Sequence, residues 1–193
     1  MKVASLVAIA LIPCWLALAV GLPARAASAE TSDPPTADSV SLKTAEEVQD
    51  LSTIISNFPR VSKETQVRRS IAQAAFCLPQ NVLGTLFYGL LQLTGGVVDT
   101  ANVNEIKIIV TRPPIGASLG RYIFLGKSVL TENAVRHEYG HTMQGYKHGP
   151  FYLLFEGLVS FVQAAFSLLS PSFADGYFDR WPENEANKLG GVT

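Results

Sequence analysis

The stretch Ala134–Pro150, "AVRHEYGHTMQGYKHGP", contains all three histidines of the 193-residue chain. It decides both the fold and the function expected here. Thr131 is an N-cap residue and Gly149-Pro150 a stop signal, so the spacing predicts a helix from about Glu132 to Tyr146 or Lys147. On that helix His137 and His141 are four residues apart, about 40° around the axis and roughly 6 Å along it. Both imidazoles then point the same way, and two ring nitrogens can reach one zinc ion at about 2.0–2.1 Å. Ala134, Val135, Tyr139, Gly140 and Thr142 leave the helix poor in charge, which suits a buried position. Gly140 removes a side chain beside the histidines, for close packing or for close approach of a substrate.

Glu138 follows the first histidine and projects beside the metal rather than at it. A carboxylate there can take a proton from a water acidified by zinc, leaving a hydroxide to attack a peptide carbonyl. Glu138 is therefore the candidate general base, and one zinc ion is the expected cofactor. Catalytic zinc takes a third protein ligand and keeps one position open. His148 is one candidate. A metzincin pattern, however, would need its third histidine at position 147, where Lys147 stands, and a continuing helix puts His148 about 10 Å along the axis from His141. The better candidate is Glu183 in "RWPENEANKLGG", on a short predicted helix, with Asn187 one turn later placed to bond the outer nitrogen of a ligand histidine. Glu185 is its rival; it points roughly 200° around the helix from Glu183, so only one of the two can face the site.

These residues resemble the gluzincin branch of the zincin metallopeptidases. There His-Glu-x-x-His is followed on a later helix by Glu-x-x-x-Asp, or by Glu-x-x-Ala-Asp as in the prenyl-protease and HtpX-like families. Asn187 stands where those families have Asp. The stretch is also similar to a group of small bacterial proteins in which "HEYGH…Q", "GPLYL" and "E-x-x-A-N/D-x-LGG" recur, over about residues 104–192. The resemblance implies a zinc-dependent peptidase-like domain, favours Glu183 over Glu185, and lowers His148, whose position is usually apolar in that group.

Outward from the motif, "NEIKIIVTR" and "RYIFLGK" read as two strands joined by the turn-rich "PPIGASLG", and the expectation is a hairpin with "RYIFLGK" as the edge strand beside the metal helix. "TAEEVQDLSTIISNF" reads as a helix capped by Thr44 and Glu47. "SKETQVRRSIAQAAFCL" reads as a second, started by Ser62 and stopped by Pro79. Residues 81–98 read as a buried apolar helix, and residues 151–169 as another, with Glu156 and Gln163 against a full membrane span. The fold class expected is α+β: mainly helical, with a short hairpin or edge strand packed on the metal-site helix in a minimal zincin-like arrangement.

Residues 1–26 have the form of an export signal: Lys2, an apolar run, then Ala-Arg-Ala ending at Ala26 or Ala-Ser-Ala ending at Ala29. The run is long enough that an uncleaved membrane anchor is the alternative. Residues 27–43 read as a flexible linker and residues 44–193 as one domain, with a helical part over 44–98 and the hairpin and metal-site core over 104–193. Hydrophobic residues make up 48% of the chain and charged residues 16%, so there is material for a core. The net charge of −1 becomes −3 when Lys2 and Arg25 are removed, which excludes a nucleic-acid partner of the usual basic kind. Cys77 is the one thiol left after residue 26, so no internal disulfide is available, and its apolar setting predicts burial.

The first reading is thus an exported zinc metallopeptidase-like hydrolase acting on a peptide or protein. The second is a catalytically inactive zinc-binding or interaction domain. The third is a small membrane protein with spans at 3–22, 81–98 and 151–169; short of that, residues 151–169 could make a peripheral membrane contact. Tyr139, Tyr152 and Tyr177 are each a core residue or a donor to a developing oxyanion. Arg136 reads as a surface or capping charge.

Overall fold

The structure, a computed structural model, describes residues 48–192. The expected signal, the linker, Thr44 and Glu47 lie outside the described residues. The chain forms α1 (Leu51–Asn57), α2 (Lys63–Phe76), α3 (Leu78–Leu93), β1 (Val97–Val103), β2 (Ile106–Thr111), β3 (Gly116–Leu119) and β4 (Tyr122–Gly126). These are followed by α4 (Glu132–His148), α5 (Leu158–Leu169), α6 (Pro171–Ala174) and α7 (Glu183–Gly190). Between α4 and α5 run a 3-10 turn, Gly149–Phe151, and a π-helical turn, Leu153–Gly157. The architecture is α+β, mainly helical with a small sheet, as the periodicities foretold.

The sheet has the order β1-β2-β4-β3. Its two central strands are the two legible ones, and their pairing corrects the expected hairpin: β2 and β4 run parallel, with Ile108 opposite Ile123 and Val110 opposite Leu125. The hairpins are instead β1 with β2 and β3 with β4, both antiparallel. The physical cause is β3. It forms within the turn-rich connection, reverses at Gly120 with φ of 64°, and pairs with β4 from the outside. The edge strand is therefore β3, not "RYIFLGK". The expected 81–98 helix overlaps β1 at Val97 and Val98, and the rest of this edge strand, with Asp99, Thr100 and Asn102 in its middle, has no regular apolar alternation that marks it as a strand.

Both faces of the central strands are covered, so nearly every position of β2 and β4 is buried, rather than the alternate ones that a half-exposed strand would bury. Ile108, Val110, Ile123 and Leu125 pack on Leu51, Ile54 and Phe58 of α1 and on Val135 and Tyr139 of α4. Ile109 and Phe124 face the other way, onto Phe87 and Leu91 of α3. The sheet thus lies between α1 and α4 on one side and α3 on the other.

Several local expectations are met. The Ser62 hydroxyl accepts from the Thr65 N–H at 3.2 Å and starts α2. The Thr131 hydroxyl accepts from the Ala134 N–H at 3.1 Å and starts α4. Gly149, at φ of 58°, closes α4 one residue later than expected. Others need correction. α1 begins at Leu51 rather than near Thr44, because the Gln49 N–H is committed to the Leu130 carbonyl at 2.9 Å. Pro79 sits in the first turn of α3, where its missing N–H costs nothing, instead of simply stopping α2. α3 is not a buried helix: one face meets the sheet while Leu78, Val82 and Leu86 lie on the surface. Among the described residues no single helix is long and apolar enough to cross a membrane.

Candidate metal centre

The centre is made by two helices that touch at backbone distance. α4 supplies His137, Glu138 and His141; α7 lies across it and supplies Glu183. Two glycines permit the approach. A Cβ on Gly140 would stand 1.9 Å from the Ala186 carbonyl oxygen, and one on Gly190 would stand 1.9 Å from the Arg136 carbonyl oxygen. Of the two roles open to Gly140, helix packing is the one seen.

His137 Nε2 lies 3.0 Å and His141 Nε2 3.2 Å from Glu183 Oε2, and the two ring nitrogens are 3.2 Å apart. Tetrahedral bonds of about 2.05 Å to one ion would separate donor atoms by about 3.3 Å. The three residues form a group that could hold a metal ion.

The outer nitrogens fix what the inner ones can do. His137 Nδ1 is 2.8 Å from Asn187 Oδ1, and His141 Nδ1 is 2.8 Å from Gln144 Oε1. Gln144 is fully buried, and its Nε2 donates to the Pro182 carbonyl at 2.9 Å, which settles which end of the amide faces the histidine. In its neutral form each ring therefore donates from Nδ1 and turns the Nε2 lone pair inward. Two imidazole lone pairs and a carboxylate oxygen then converge with no donor among them, an arrangement that calls for a cation. Glu183 Oε1 is also buried without an aligned partner, although the Ser160 and Tyr177 hydroxyls are close.

Protonation follows the same geometry. Burial alone would lower His141, but hydrogen bonding to Glu183 and the charges of Glu183 and Glu138 outweigh it and raise it to about 9. Burial alone would raise Glu183, but the hydrogen bonds from His137 and His141 hold it well below the carboxylate range. In the metal-free protein a proton thus stands in for the cation.

Glu138 lies beside the group without joining it. Burial pushes its carboxyl above the ordinary range, the histidines partly offset this, and the charge of Glu183 adds to it. Its Oε2 has no hydrogen-bond partner. Its Oε1 faces Gly116 at the start of β3, close enough that a Cβ there would come to 3.0 Å. The candidate base, the histidines and the edge strand meet at one place.

The remaining candidates fall elsewhere. Glu185 is held by Lys147 Nζ at 2.6 Å, Gln144 Nε2 at 3.2 Å and Trp181 Nε1 at 3.2 Å, so it supports the outer side of the site. His148 turns away and pairs through Nδ1 with the buried Glu156. Tyr139 packs edge-on against Phe58 in the core and leaves the site, while buried Tyr152 and half-buried Tyr177 lie near Glu138 and Glu183, with burial pushing both phenols up. Arg136 pairs with Glu132 at 2.7 Å on the surface of α4. Cys77 is buried and its thiol pushed up to about 11 by burial.

Gln144 went unassigned in the sequence. Its signal was the i, i+3 spacing from His141 on a helix already placed. Replacing Gln144 or Asn187 by Ala should weaken metal binding about 10–100-fold, whereas Asn187→Asp should hold or strengthen it. Zinc titration against a competing chelator measures this; unchanged affinity in both alanine variants would detach these residues from the site.

No protein-family model, curated protein or solved structure matches the chain.

Proposed function

We propose that the chain is an exported, zinc-dependent hydrolase of the metallopeptidase type, of the gluzincin kind that its motif resembles. His137, His141 and Glu183 hold the metal, and Glu138 is the general base. The observation that carries this is the convergence of Nε2, Nε2 and Oε2 with both outer nitrogens committed to amide oxygens. Nitrogen and oxygen donors in that number suit zinc, and among the described residues no fourth side chain completes the set. That favours a reactive site over a closed structural one.

Zinc bound here supplies Lewis acidity toward a water and a substrate carbonyl. The chain's own residues do the rest. Glu138 is buried, unpaired at Oε2 and raised in proton affinity, which suits a group that must collect a proton and later return it to the leaving amine. β3 is the last strand of the sheet, with an outer edge available for pairing with an extended peptide. Gly116, against Glu138, keeps the strand low where a scissile bond would cross.

Metal analysis of the purified protein and its alanine variants tests the proposal. The parent should carry about one zinc per chain. Glu183→Ala should empty the site; Glu185→Ala and His148→Ala should not. Zinc retained at full stoichiometry by Glu183→Ala would overturn the ligand set. A peptide library then tests hydrolysis; zinc-loaded protein that cleaves none of it would leave a binding domain. For export, the mature protein should begin at Ala27 or Glu30, read by N-terminal sequencing; a chain still starting at Met1 would mean an anchor.

A further inference from the structure

The three converging side chains are not equally buried. That of Glu183 is wholly buried and that of His141 is 7% exposed, whereas that of His137 is 13% exposed. A group that reaches the metal from solvent therefore comes in beside His137. Phe178 stands there. Its ring meets the His137 ring edge-on, with centroids 5.2 Å apart, and the residue is still 56% exposed. We propose that Phe178 is a specificity-determining residue: the substrate side chain nearest the metal lies against its ring, and that side chain is apolar. The inference rests on the hydrolase reading above and adds the class of side chain that the site takes.

The local structure fixes Phe178 relative to the metal. It lies in a 3-10 turn, Tyr177–Asp179, just before α7. The Asp179 carbonyl accepts from Asn184 Nδ2 at 3.1 Å, and the Asn184 N–H donates to the Arg180 carbonyl at 2.9 Å. Asn184 is the chain neighbour of Glu183, so the turn is tied to the helix that brings the carboxylate. The Tyr177 ring packs edge-on against Phe178, with centroids 4.9 Å apart. A ring held in this way loses little freedom when a ligand covers it. Charge then selects among side chains. Arg180, the one cation of residues 175–181, is turned back: its Nη1 donates to the Phe173 carbonyl at 2.7 Å, and its guanidinium lies 3.9 Å over the Phe173 ring. The charges left exposed on the turn are Asp175 and Asp179. An acidic substrate side chain meets like charge here and no cation. A basic one gains little from exposed carboxylates. An apolar one removes its own surface and that of Phe178 from water.

The test is calorimetric titration of the zinc-loaded full chain with four hydroxamates, those of acetic, hydrocinnamic, succinic and aminocaproic acid. A hydroxamate chelates zinc and carries its side chain beside it, so binding reports the subsite without any turnover. The hydrocinnamic compound should bind about 10–100-fold more tightly than acetohydroxamate, and the acidic and basic ones should gain about threefold or less. Phe178→Ala should cut the hydrocinnamic gain to about threefold or less, and leave zinc affinity and acetohydroxamate affinity unchanged. Phe178→Leu should keep most of the gain. Phe178 is exposed, so both variants should fold, and their zinc stoichiometry checks this. A gain that survives Phe178→Ala, or one that is largest for the acidic or basic compound, overturns the proposal. So does an alanine variant that weakens zinc and all four hydroxamates alike, since Phe178 would then only brace His137. Acetohydroxamate that fails to bind the zinc-loaded parent would overturn the hydrolase reading and this inference with it. Acetohydroxamate binding with no added gain from the phenyl group would overturn the role of Phe178 alone.

Discussion

A Glu138→Gln variant should keep zinc at the parent stoichiometry and lose hydrolysis by about 10²–10⁴-fold. The amide is nearly the same shape as the carboxylate, so the fit beside Gly116 survives. What is lost is the ability to take and return a proton. The ligands should be unaffected, because Glu138 is not among the atoms that converge on the site. The change also removes a buried carboxyl whose Oε2 has no partner, so the variant should melt at or above the parent temperature. This combination separates a base from a structural acid: a structural role would lower stability along with activity. Cleavage at the parent rate by the zinc-loaded variant would eliminate the mechanism.

Gly140→Ala should be among the most damaging single substitutions outside the metal ligands. The added methyl would meet the Ala186 carbonyl oxygen at 1.9 Å, backbone against backbone, with no side chain to rotate away. Either α7 lifts off α4 or the chain strains, at a cost of about 3 kcal/mol or more. A shift of α7 by the missing distance takes Glu183 Oε2 away from His137 and His141, now at 3.0 and 3.2 Å. Zinc should therefore be lost together with stability, although alanine is the better helix former. Gly145, on the same helix, is the control: a Cβ there meets only Cys77 Sγ, at 3.8 Å, so Gly145→Ala should fold and bind metal normally. Thermal melts of both variants with and without zinc give the comparison, and a Gly140→Ala protein with parent stability would refute the packing account.

The sequence by itself carried the local features. Thr131, the i, i+4 histidines and Gly149 are all read within one helix, and a helix's periodicity and caps depend on near neighbours. For the same reason "NEIKIIVTR" and "RYIFLGK" were legible as strands. Glu183 was nameable as a candidate, along with its partner Asn187, because four-residue spacing on a second helix places both on one side.

The sequence ranked Glu183 ahead of Glu185 and His148, and the tertiary structure brings Glu183 alone of the three to the paired histidines. That placement depends on how α7 is rotated against α4, set by backbone contacts at Gly140 and Gly190 that lie some 50 positions apart in the chain. Strand order was likewise decided at long range: β3 pairs outside β4 and leaves β2 and β4 parallel, an arrangement that the alternation of side chains does not encode. Gln144 belongs to the same class, since a helix amide acquires its meaning only when His141 on one side and the Pro182 carbonyl on the other close around it. Side-chain direction is a property of one helix, whereas convergence on a point is a property of two.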